Sequence, residues 1–289
     1  MRRLAISLAT RGRPALLKET LERTLPNIRR KSTRLLVSID DDDIATLTRV
    51  RDLPNDDRVR YSIAPREDSL GAKYNRILGT PADVYLAMVD YAPHLTKGFD
   101  DKILKAAAIF PDGIGVVFNR YANLSFPEIN AVTRNLALRM GYFYPPYFPY
   151  WFVDHWLDDI ARMIGRIAYV DIVIDVSKRP GTMDRREPGF WATFFDATHV
   201  IRERRAREIL TDLHDPKWRK TLLERSFPVI AQHSMMINDN VRSIANWRPE
   251  EIDERYRRLK ARAVWMMRAL LPEIEEAAEK TQRGKAKAA

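Results

Sequence analysis

The chain has 289 residues, with 49 Lys and Arg against 39 Asp and Glu, and so a formal net charge of +10. An apolar fraction of 45% beside 30% charged residues excludes wholesale disorder, and 11 Gly with 17 Pro exclude a collagenous or low-complexity chain. The absence of cysteine removes disulfides, thiolate metal sites, iron–sulfur clusters and cysteine nucleophiles, and fits a reducing cytoplasm.

The apolar stretch Leu4 to Ala9 is too short for a secretory core and is closed by Arg11-Gly12-Arg13. No stretch approaches the roughly 18 apolar residues of a spanning helix, so a cytoplasmic protein with at most a peripheral membrane contact is expected. Leu4 to Ala9 reads as a buried strand, followed by a helix from Ala15 to Ile28. Arg34 to Ile39 is a second strand, and the run Asp40 to Asp43 caps a helix through Asp52, since carboxylates accept the free N–H groups of a first turn. Arg58 to Ile63 is a third strand, with a helix over 70–78. Val84 to Val89 is a fourth, with a helix over 98–110, and Ile114 to Phe118 is a fifth. Strands alternating with helices at this spacing predict an α/β fold with a mainly parallel sheet covered on both faces. Ligands of such sheets bind where loops leave the carboxyl ends of the strands. The loops of interest are therefore 10–14, 40–43, 65–75 and 90–97.

A helix is expected from Glu128 to Met140. Tyr142 to Phe152 then carries three prolines among its aromatics and reads as a loop, either lining a core or offering a stacking surface. Val153 to Ile164 is helical and Ile167 to Val176 is a strand. From about Trp191 strand signals end and charged amphipathic helices follow, the last over 249–280, before a frayed basic tail at 283–289. The expected division is a first domain over 1–190 and a helical extension over 191–289.

The glycine-rich phosphate loop, the dinucleotide fingerprint, His-Glu-x-x-His and Gly-x-Ser-x-Gly are all missing. The sheet edge instead carries Thr10, Arg11 and Arg13 after the first strand, Asp40 after the second, and Gly71, Lys73 and Asn75 at a helix start. Asp90 follows the fourth strand, Asp154 and Asp158 open the helix beside the aromatic loop, and Lys178-Arg179 follows the last strand. Asp90 ends an apolar strand, where a carboxylate has little structural reason to sit.

In this order the series resembles the family 2-like inverting glycosyltransferases of the GT-A fold, over residues 4 to 176. The resemblance implies that Thr10, Arg11 and Arg13 contact the nucleotide of a sugar donor, and that Asp40 accepts from its base, as in UDP-linked donors. Gly71, Lys73 and Asn75 would lie along nucleotide and sugar. Asp90 would be the first acid of the Asp-x-Asp region, which holds Mn2+ or Mg2+, and Asp154 the base acting on an acceptor hydroxyl, with Asp158 as its alternative. Two departures stand out. Tyr91-Ala92 replaces the second acid, and Asp175 to Arg179 holds no histidine ligand. With that metal set incomplete, Lys178 and Arg179 become candidates for stabilising a leaving diphosphate. Two other readings remain: a non-catalytic nucleotide- or sugar-binding relative, and a polyanion binder, for instance of nucleic acid, acting through Arg202, Arg204, Arg205 and Arg207. Those arginines share their segment with Glu203 and Glu208, which favours a solvated helix face.

Overall fold

The computed structural model describes residues 2–119, 130–178, 187–242 and 253–288. A seven-stranded sheet organises them, in the order β3-β2-β1-β4-β6-β5-β7. Its strands are β1 (Leu4–Ala9), β2 (Arg34–Asp40), β3 (Val59–Ala64), β4 (Val84–Val89), β5 (Val116–Asn119), β6 (Asn130–Thr133) and β7 (Ile167–Val170). The first four run parallel, so the loops leaving β1, β2, β3 and β4 all emerge at one edge. β6 lies antiparallel between β4 and β5.

β1 is buried along its whole length because both faces of the sheet are covered. Leu4, Ile6 and Leu8 pack with Leu17 and Leu21 of α1 (Pro14–Thr24) and Phe99 and Ile103 of α4 (Phe99–Ala107). Ala5 and Ala9 belong to the opposite core, with Tyr74, Phe148 and Trp156. That second core continues into the C-terminal helices. Phe148 of the aromatic loop meets Trp191, Phe194 and Phe195 of α7 (Pro188–Ala197) at centroid distances of 6.1, 5.2 and 6.2 Å. Trp156 of α6 (Val153–Met163) lies under Arg202 of α8 (His199–Asp212), whose guanidinium pairs at 2.8 Å with Asp159 in full burial. The remaining helices are α2 (Ile44–Leu47), α3 (Leu70–Asn75), α5 (Arg134–Met140), α9 (Lys217–Arg242) and α10 (Glu254–Ala288).

Four expectations need correction. The helix expected from Glu128 begins at Arg134. The residues before it, Asn130–Thr133, form β6, where Ala131 and Val132 are buried between two neighbouring strands and sheet pairing overrides the helical reading. The helix after Asp43 is a single turn followed by a 3-10 turn, Val50–Asp52, since few of its side chains are buried to hold a longer one. The last strand stops at Val170 rather than Val176, leaving an isolated bridge between His94 and Ile174. The basic tail continues α10 to Ala288 rather than leaving the helix at 283.

His94 is fully buried, stacked on Phe99 at 4.8 Å, and neither ring nitrogen has a hydrogen-bond partner among the described residues. Burial pushes its pKa down to about 3 from the ordinary 6.5. The unfolded chain therefore binds a proton that the fold refuses, and stability falls as pH drops from 6.5 towards 3. Urea unfolding at pH 7 and pH 4 should show the natural chain losing roughly 3 kcal/mol more than His94→Leu; equal losses would contradict this assignment.

Candidate functional site

Two buried carboxylates organise the sheet edge. Asp40 ends β2 at 2% exposure and Asp90 follows β4 at 0%. Lys73 of α3 donates from Nζ to the Thr10 carbonyl at 2.6 Å and lies 2.9 Å from Asp40 Oδ2. Burial lowers the Lys73 pKa, while Asp40 pulls it the other way. Arg11 reaches the same Asp40 oxygen at 3.3 Å and Asp42 at 2.5 Å, and Arg76 stands 3.7 Å from Asp40 Oδ1. Thr10 Oγ1 donates to Asp90 Oδ2 at 2.7 Å, and Arg13 lies 3.0 Å from Oδ1 and 5.5 Å over the Tyr91 ring. Burial raises the Asp90 pKa, against the opposing pull of Arg13 and Thr10.

These groups line or back a cavity of about 470 Å3. Thr10, Arg11, Arg13, Asp40 and Lys73 are on its wall, with Asp90 behind Thr10 and Arg13. The rest of the wall comes partly from the two loops already of interest, 65–75 and the aromatic loop, and partly from a segment that the sequence did not mark. Arg66, Glu67, Asp68 and Ser69 belong to the loop before α3, Pro149 and Tyr150 to the aromatic loop, and Asp253, Arg255 and Tyr256 to the start of α10. The last three lie 74 residues beyond Lys178-Arg179 (253 against 179), in the helical segment, and no motif in the sequence marks them.

Gly71 and Asn75 hold the aromatic loop. A Cβ on Gly71 would sit 2.1 Å from the Pro145 carbonyl oxygen, so only glycine permits this approach. Asn75 accepts from the backbone N–H groups of Phe143 and Tyr144 at 2.9 and 2.8 Å and donates to the Tyr144 carbonyl at 2.9 Å. All its polar atoms are thereby engaged by the loop. Neither residue is on the cavity wall.

Asp154 and Asp158 are not on that wall either. Asp158 is buried and held by Arg162 at 2.8 Å; burial raises its pKa, against the pull of Arg162. Asp154 accepts from the His155 backbone N–H at 3.0 Å, and its carboxylate has no ion-pair partner among the described residues. It is close enough to the buried Tyr144 hydroxyl to add to the pKa rise that burial causes there. Tyr144 in turn packs on Tyr74, whose hydroxyl reaches the Met88 carbonyl near the end of β4.

Lys178 pairs with Glu19 of α1 at 2.5 Å and is not on the cavity wall. Arg179 lies outside the described residues. The arginines of α8 are engaged internally: Arg202 with Asp159, Arg205 with Glu208 at 2.8 Å and Arg207 with Glu203 at 3.0 Å.

No protein-family model matches the chain, and no curated protein matches it in sequence. Solved structures do match it in shape. The 1–349 segment of TarS from S. aureus matches with a TM-score of 0.54 at 13% identity, covering 95% of this chain and 82% of that one. The same segment in complex with UDP-GlcNAc matches at 0.53 and 12%, covering 79% and 72%. A mannosyltransferase from Pyrobaculum calidifontis, in complex with GDP-Man and Mn2+, gives 0.48 at 14%, covering 94% and 86%. The chain has the GT-A fold.

Among the described residues, those beside Asp90 do not form a ligand set for a divalent ion. A Mg2+ or Mn2+ site needs several oxygen ligands around one point. Here one oxygen of Asp90 accepts from Thr10 and the other faces a guanidinium. Among the described residues no three His, Cys, Asp or Glu side chains gather to hold a metal.

Removing one partner of the buried Asp40–Lys73 pair leaves an uncompensated charge. Lys73→Met should cost roughly 3 kcal/mol in urea unfolding, and the double variant Asp40→Leu/Lys73→Met should recover part of it. A single variant as stable as the natural chain would show that Arg11 and Arg76 suffice for Asp40.

Proposed function

We propose that the chain transfers a sugar from a nucleoside-diphosphate donor to a hydroxyl acceptor, with inversion and without a divalent metal. The observation that carries this reading is the cavity itself. It opens at the carboxyl edge of a GT-A sheet, gathers Thr10, Arg11, Arg13, Asp40 and Lys73 from separate loops, and has a volume of about 470 Å3. That volume falls in the range of small-ligand sites. UDP-linked sugars are the first donors to consider, because TarS, of the same fold, was solved with UDP-GlcNAc.

In this reading Asp40 meets the nucleoside side and the cationic wall meets the diphosphate. Asp154, off the cavity wall itself, is assigned as the base that an acceptor entering beside the aromatic loop would meet. Of Asp154 and Asp158 it is the one without a cation bound to it among the described residues, and a general base needs an available lone pair. The acceptor oxygen gives its proton to Asp154 and bonds to the anomeric carbon. The bond from that carbon to the diphosphate breaks, and its electron pair leaves with the phosphate oxygen. Stacking on the half-buried Tyr150 of the cavity wall would orient the sugar.

Incubating the protein with UDP-GlcNAc, UDP-glucose and GDP-mannose in EDTA, and following release of free nucleotide, tests the reading. Turnover of at least one donor in EDTA is expected. Asp154→Asn should lower it by about 100-fold or more while nucleotide affinity stays nearly unchanged. Turnover that EDTA abolishes and Mn2+ restores would overturn the metal-free mechanism, and equal loss of turnover and affinity would overturn the role of Asp154.

A further inference from the structure

The cavity wall holds five cations, Arg11, Arg13, Arg66, Lys73 and Arg255, and four carboxylates, Asp40, Glu67, Asp68 and Asp253. Each of the four carboxylates already has a cation. Asp40 is met by Lys73 and Arg11, Glu67 by Arg76 at 3.2 Å, Asp68 by Arg258 at 2.6 Å and Asp253 by Arg66 at 2.9 Å. Four of the cations are committed in turn: Arg11 to Asp40 and Asp42, Arg13 to Asp90, Arg66 to Asp253 and Lys73 to Asp40. Arg255 is the exception. Among the described residues no carboxylate lies within ion-pair distance of it; Asp42 feels it only as a longer-range charge.

The start of α10 is fastened on several sides of this guanidinium. Asp253 accepts from the Tyr256 backbone N–H at 2.9 Å and pairs with Arg66. The Tyr256 hydroxyl donates to Glu187 at 2.6 Å and accepts from Trp191 Nε1 at 3.2 Å, while Lys260 reaches Glu187 at 2.7 Å. Arg258, one turn on, binds Asp68. Arg255 is partly buried on the wall between these anchors, more than 160 residues along the chain from Asp90 (255 against 90).

We propose that Arg255, carried by the C-terminal helix, is the principal ligand of the donor's diphosphate, supplying the positive charge that the Asp90 region does not offer through a metal. The proposal rests on the donor-binding reading above. A guanidinium suits the role because it presents a planar fork of donors to two phosphate oxygens and stays charged at any working pH. Among the described residues no carboxylate is paired with it, so a diphosphate entering the cavity displaces no described ion-pair partner from it. The helix bearing it also becomes part of the donor site rather than an accessory to it.

The test is calorimetry of UDP and GDP binding in EDTA, with inorganic pyrophosphate as competitor, for the full chain and for Arg255→Gln, Arg255→Lys and Arg257→Gln. Arg257 is exposed and pairs with Glu254, so its variant removes the same charge from the same helix off the cavity wall. Loss of a charge-assisted phosphate contact should weaken UDP about tenfold or more in Arg255→Gln, weaken pyrophosphate in parallel, and leave Arg257→Gln within about twofold. Arg255→Lys should lie between, since it keeps the charge and loses the fork. Unfolding midpoints of all four proteins separate a local loss from a folding defect, and Arg255→Lys carries the test if Arg255→Gln does not fold. UDP binding unchanged in Arg255→Gln, or equal losses at 255 and 257, overturns the assignment while leaving the donor reading intact. Failure of the natural chain to bind either nucleotide overturns the donor reading itself.

Discussion

Burial of Asp40 and Asp90 at the carboxyl edge of the sheet is the constraint from which the site follows. A carboxylate removed from water must be met by cations or directed donors, or it neutralises. Asp40 therefore draws in Lys73, Arg11 and Arg76, and Asp90 draws in Thr10 and Arg13. Since these partners come from the loop after β1 and from the α3 region, the two acids tie separate segments into one wall. The same pairing consumes the charge of those cations, which is why an anionic guest has to look further round the cavity for an uncommitted one.

A second constraint is the packing between the sheet and the C-terminal helices. Gly71 lets the aromatic loop press against α3, and Asn75 ties the loop's backbone in place. Phe148 and Trp156 then join Trp191, Phe194 and Phe195 in one core, with Arg202 and Asp159 paired inside it. The helical segment is thus bonded to the sheet through a continuous apolar layer. This packing brings the first turn of α10 to the cavity, where Tyr256, Lys260 and Arg258 bond it to Glu187 and Asp68.

The parallel strands were legible because their apolar runs are continuous and separated by capping acids and short helices, as in Leu4–Ala9 and Val84–Val89. The strand-edge residues were legible for the same reason: a polar side chain directly after a buried strand lies on the ligand-binding edge, which is where Thr10, Asp40 and Asp90 stand. β6 was not legible. Asn130–Thr133 is four residues long and leads directly into α5, so no local period distinguishes it from the helix that follows. Gly71 and Asn75 share the α3 segment with Lys73 yet serve the aromatic loop, because the direction each faces depends on packing against residues some 70 positions away. Arg255 was invisible for the same cause: its position depends on how α10 docks, and nothing within its own helix marks it out from Arg257 or Arg258.

The most direct measurement of the central claim is a crystal structure of the metal-free protein soaked with UDP. The account predicts density for the nucleotide in the cavity between Thr10, Lys73 and Tyr150, with the diphosphate against Arg255 and no metal beside Asp90. A nucleotide bound elsewhere on the molecule, or one that enters this cavity only with a divalent ion on Asp90, would contradict it.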